Sequence, residues 1–165
     1  MKFTGFQTLV DQMFTFDEAG ALLERHDATK PSALSPLVLA YIGDAYFHLF
    51  IRVRLLSFEQ SNVQVMSRLG AEMVSAVWQS RAYQGIEPML TEGEKAVFRR
   101  GRNAKSHAPR SATVGEYHRS TGFEALLGVL CLEGKRERAE ALSEAAFQVI
   151  VREMRKKRKG ENATC

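Results

Sequence analysis

One stretch narrows the possible folds of this chain more than any other. Residues 36–56, PLVLAYIGDAYFHLFIRVRLL, are apolar around nearly the whole circumference of a helix, yet they carry Asp44, His48, Arg52 and Arg54. The run approaches membrane-span length. A charge at the centre of a lipid-exposed span costs about 2.5 to 3.5 kcal/mol, however, and several are present. The segment therefore reads as a core helix running through the middle of a soluble, cytoplasmic protein, capped by Ser35 with Pro36 at its first position. Within it, Asp44 is expensive unless paired, hydrogen-bonded or bound to a metal. His48 and Arg52 follow at four-residue steps on the same face, so an internal Asp-His or Asp-Arg pair stands beside the metal reading.

A second carboxylate sits in a similar setting. Glu124 is the only charged residue between Arg119 and Glu133, flanked by Phe123, Leu126, Leu127 and Leu130. It reads either as a core-edge glutamate snorkelling to water or as half of a pair with Asp44. Hard oxygen ligands suit Mg²⁺, which commonly takes one or two carboxylates and completes its shell with waters and phosphate oxygens.

The rest of the chain punctuates like helices. Thr15 with Glu18, Ser57 with Gln60, Thr91 with Glu94 and Thr113 with Glu116 fit the capping box. Apolar residues from Val63 to Val77 and from Leu142 to Ile150 recur at three- and four-residue steps. The alternation across residues 50–55 resembles a strand, but it continues the preceding helix. With 165 residues, 45% of them apolar, the expectation is one all-α domain of six or seven helices over residues 1–150. Residues 151–165 follow as a basic helix end and flexible tail. Two cysteines, Cys131 and Cys165, build neither a disulfide framework nor a zinc site. The opening MKFTGFQTLV lacks the apolar core of a secretory leader. Of the four histidines, His26, His48, His107 and His118, no two have metal-ligand spacing.

Charge is unevenly placed. The net charge is +4, yet residues 99–110 hold Arg99, Arg100, Arg102, Lys105 and Arg110 with no acid, and residues 152–159 hold six basic residues against Glu153. The remainder is net acidic. Two concentrated basic elements on an acidic body suit a polyanion held at defined places. Together with the two carboxylates, they suggest metal-assisted phosphodiester chemistry.

These residues carry a resemblance. YIGDAYFHLF around Asp44 resembles the signature helix of the ribonuclease III family, and STGFEALLGVLCLEG around Glu124 resembles that family's second motif. FRRGRNAKS between them is similar to a segment of the compact branch called Mini-ribonuclease III. The resemblance implies an all-helical endoribonuclease domain that cuts double-stranded RNA as a symmetric homodimer with Mg²⁺, Mn²⁺ substituting. It assigns Asp44 and Glu124 as catalytic and metal-binding, and Arg99, Arg100, Arg102, Asn103 and Lys105 as RNA contacts. Tyr41, Ile42 and Phe47 fall on the helix that pairs with its twofold mate. The branch lacks the appended RNA-binding domain, and the 41 residues after Glu124 are too few for one. Its implied task is maturation of precursor large-subunit (23S) ribosomal RNA, with a ribosomal protein as a possible helper and no membrane involved. The chain departs from full-length relatives where further acids would stand: Leu37, Ala40 and Thr121 occupy those positions. The alternatives are a catalytically inactive RNA-binding or ribosome-associated scaffold, and a helical protein-interaction domain.

Overall fold

The computed structural model describes residues 3–24, 30–105 and 111–162. It falls into two units, residues 1–30 and residues 31–165. The first contains α1 (Phe3–Met13) and a short antiparallel hairpin of β1 (Thr15–Phe16) and β2 (Leu22–Leu23). Thr15 thus opens a strand, not the capped helix its spacing with Glu18 predicts. Asp17 decides this, because its Oδ1 accepts from the amides of Ala19 and Ala21 at 2.9 and 2.8 Å. Gly20, at φ +81°, supplies the left-handed residue that the turn needs.

Among the described residues the second unit holds six α-helices: α2 (Pro36–Leu55), α3 (Val63–Met73), α4 (Ala76–Ile86), α5 (Glu92–Arg102), α6 (Val114–Leu132) and α7 (Arg136–Asn162). The all-α expectation and the helix number hold. Thr91 and Thr113 form complete capping boxes with Glu94 and Glu116, and the Ser35 hydroxyl accepts from Val38 N at the start of α2. Ser57 and Gln60 do not cap α3. Glu59 folds over that turn, accepting from Ser61 N and Asn62 N, and Asn62 takes the N-cap. Gly134, at φ +70°, ends α6 with Lys135 N donating to Leu130 O across the turn. α7 then runs unbroken past residue 150, so the basic residues 152–159 continue a helix.

The central helix is α6, not α2. From Ser120 to Leu130 every residue of α6 except Glu124 is buried. α2 buries one face only, through Leu39, Ala40, Gly43, Phe47, Ile51 and Leu55. Its opposite face exposes Leu37, Val38, Tyr41, Leu49 and Val53. An all-round apolar sequence predicts burial on all sides; within one chain, α2 has a partner on only one. The core around α6 gathers Phe47 against Phe123, edge to face at 5.1 Å, and Tyr83 stacked on Phe98 at 3.5 Å.

Candidate active site

Two glycines fix where the carboxylates stand. α2 crosses α6 with Gly43 and Gly128 in the contact. A Cβ on Gly43 would lie 1.8 Å from the carbonyl oxygen of Glu124, and one on Gly128 would lie 2.0 Å from that of Leu39. The two backbones touch where a side chain on either helix would hold them apart. Asp44 follows Gly43 directly, so the crossing brings its carboxylate within electrostatic reach of that of Glu124.

The electrostatics agree with that placement. Glu124 titrates at about 7, well above an ordinary glutamate. Burial is the main cause, the Asp44 charge adds to it, and a hydrogen bond from the Gln79 amide opposes it. Asp44 is half-buried, with Oδ1 3.2 Å from His48 Nε2. Of the two pairings open in the sequence, the Asp-His one forms, and Arg52 is exposed. Thr121, where a further acid would stand, is buried and donates its hydroxyl to Tyr117 O.

These residues fit a hard divalent cation. Glu124, whose ionisation burial and the Asp44 charge disfavour, gains from a positive charge placed beside it. Gln79, 1% exposed, keeps its Oε1 buried without a partner, and such an orphan acceptor beside Glu124 suits the water shell of an ion. Among the described residues no group of three or more His, Cys, Asp or Glu is placed to hold a metal. Asp44 and Glu124 would offer two carboxylate ligands, a number Mg²⁺ accepts and structural zinc does not.

The basic segment is anchored within a turn of Glu124. Gly101 of α5 packs on α6 so closely that a Cβ would meet Ala125 at 2.7 Å and Gly122 at 2.8 Å. Arg99, Arg102, Asn103 and Lys105 are exposed at that end of α5. Asn103 is its C-cap, and the Arg102 carbonyl lies 2.6 Å from His118 Nδ1. Arg100 is otherwise engaged, donating to the carbonyls of Ser32 and Leu34 at 3.2 Å each. Its charge ties α5 to the approach to α2, so it is not the open phosphate donor the sequence suggests. Arg110, His26 and His107 lie outside the described residues.

Of the three residues assigned to a twofold contact, Tyr41 is 76% exposed, Ile42 is partly buried, and Phe47 is fully buried in its own core. Phe47 packs on Phe123 and is not available to a partner. The residue that sequence reasoning missed is Gln79. No motif marks it, and only the fold brings α4 to the carboxylates.

Comparison with known proteins identifies the family. A family model described as the ribonuclease III domain matches residues 37–135, which spans both carboxylates. The Mini-ribonuclease 3 of Symbiobacterium thermophilum is 46% identical over 74% of this chain and 95% of its own length. That of Thermoanaerobacter is 42% identical over 72% and 84%. A crystal structure of a Fusobacterium nucleatum protein superposes at a TM-score of 0.64 with 34% identity, covering 70% of this chain and 93% of that one. The chain belongs to the ribonuclease III family, in its Mini-ribonuclease III branch, and is an endoribonuclease.

Proposed function

We propose that this endoribonuclease cuts double-stranded RNA with Mg²⁺ held between Asp44 and Glu124, acting as a homodimer in the cytoplasm on precursor 23S ribosomal RNA. One observation supports the reading: the Gly43–Gly128 crossing brings the helices of Asp44 and Glu124 into backbone contact, and the Asp44 charge acts on the buried Glu124. When bound, the cation makes an attacking water more acidic and offsets charge on the phosphoryl oxygens. Asp44 and Glu124 orient it, and burial of Glu124 strengthens that interaction by lowering the local dielectric. Arg99, Arg102, Asn103 and Lys105 hold the RNA backbone across a wide A-form minor groove whose shape and 2′-hydroxyls distinguish it from DNA.

The exposed face of α2, with Tyr41, Leu37, Leu49 and Val53, together with the partly buried Ile42, suits a second copy of the same helix. A dimer sets two sites on one duplex, so both strands are cut. Incubation of a long double-stranded RNA with Mg²⁺ or with chelator tests the reading. Mg²⁺-dependent cutting to short duplexes with 5′ phosphates supports it, and RNA binding without cutting of generic or precursor ribosomal RNA overturns it.

A further inference from the structure

One corner of the fold supports a polar neighbour of each carboxylate. His48 Nε2 lies 3.2 Å from Asp44 Oδ1, and because a carboxylate only accepts hydrogen bonds, the ring can hold Asp44 only through a hydrogen on Nε2. The contact is made to Oδ1. The imidazole borders a cleft of about 100 Å³ between α2 and α3, whose far wall includes Met66, Gly70 and Val74. The carbonyl of Val74 also accepts from Gln79 Nε2 at 2.9 Å. Gln79 is buried, and its amide reaches Glu124. The end of α3 thus stands behind both partners.

We propose that His48 is a positioning residue that holds Asp44 with Oδ2 presented to the cation, and that Gln79, braced on Val74, does the same for Glu124. The inference deepens the nuclease reading and rests on it. A merely structural pair at four-residue spacing is worth a few tenths of a kcal/mol and leaves cation affinity alone. A partner that orients a metal ligand is worth about 10- to 100-fold in metal affinity.

The test is a titration of the full chain with Mn²⁺ alone, reading free ion by electron paramagnetic resonance, with thermal unfolding run beside it. The variants are His48→Leu, His48→Gln, Gln79→Met and Asp44→Asn. His48→Leu and Gln79→Met each weaken Mn²⁺ binding by about tenfold or more, and His48→Gln, which keeps a donor at the height of Nε2, restores it to within about threefold. His48→Leu unfolds within about 2 °C of the unsubstituted chain, because the lost pair lies at a half-exposed surface. Unchanged Mn²⁺ affinity in His48→Leu, with binding lost in Asp44→Asn, overturns the positioning role and leaves the nuclease reading standing. Full Mn²⁺ binding by Asp44→Asn overturns both. Should Gln79→Met fail to fold, the two His48 variants decide the matter.

Discussion

Replacing Gly128 by alanine probes the contact on which the site depends. The added Cβ falls 2.0 Å from Leu39 O, 2.8 Å from Leu39 C and 3.2 Å from Gly43 N. Cβ atoms do not approach within 3.0 Å, so α2 must retreat from α6 by about 1 Å or more, and no side chain is there to yield. Overpacking costs about 1 to 3 kcal/mol, and a backbone-on-backbone clash belongs at the upper end. Alanine in a helix returns up to about 1 kcal/mol, for a net loss of about 2 kcal/mol. For a chain of this size that lowers Tm by about 4 to 8 °C without unfolding it. Activity falls further, because a displacement near 1 Å costs about 100-fold. Urea unfolding followed by circular dichroism and single-turnover cleavage of double-stranded RNA read the two effects. Gly93→Ala is the control: its Cβ meets nothing closer than Thr91 Oγ1 at 4.0 Å, so it is neutral or stabilising. A Gly128→Ala protein as stable and active as the unsubstituted chain would refute the reasoning.

Four further outcomes follow from the geometry. Glu124 has a folded pKa of about 7, above its unfolded value, so its carboxyl destabilises the cation-free protein progressively as pH rises through that interval. Glu124→Gln therefore raises Tm in chelator at pH 8, by on the order of 2 kcal/mol of stability, but not at pH 4; Mg²⁺ stabilises the unsubstituted chain and not the variant. Glu94, held at about 2 chiefly by its hydrogen bonds from Arg138, has the opposite sign. Arg138→Met costs about 1 kcal/mol at pH 7, and urea midpoints of the two proteins converge as pH falls from 4.5 toward 2. Alanine at Arg99, Arg102 or Lys105 lowers the salt slope of RNA binding by about 1 each, whereas Arg100→Ala leaves the slope alone and costs about 1 kcal/mol of stability. Tyr41→Glu on the exposed α2 face yields a monomer in sedimentation if that face is the twofold contact, and unchanged sedimentation refutes it.

Much of the candidate site was legible in the sequence because the relevant residues are conspicuous against their surroundings. A lone acid on an apolar helix has few structural excuses, and Asp44 and Glu124 each stand out for that reason. The true capping boxes at Thr91 and Thr113 were equally plain, since both reciprocal bonds are local. Thr15 and Ser57 have the same spacing, but Asp17 turns the chain by accepting from the amides of Ala19 and Ala21, and Glu59 takes the Gln60 amide that a box at Ser57 would use. The centre of the fold was harder to place, because periodicity reports that α2 is apolar on all faces and not whether a face meets its own chain or a copy. Arg100 and Gln79 depend wholly on tertiary contacts, with carbonyls 66 to 68 residues away for the first and a glutamate on another helix for the second. No local pattern encodes either.

The central claim is that Asp44 and Glu124 share one cation across the Gly43–Gly128 crossing. Its most direct measurement is the anomalous difference map of crystals of this protein soaked in Mn²⁺. The account predicts a peak bonded to a carboxylate oxygen of both residues, lost in Asp44→Asn and in Glu124→Gln. A peak that contacts only one of them, or that persists in either variant, would contradict it.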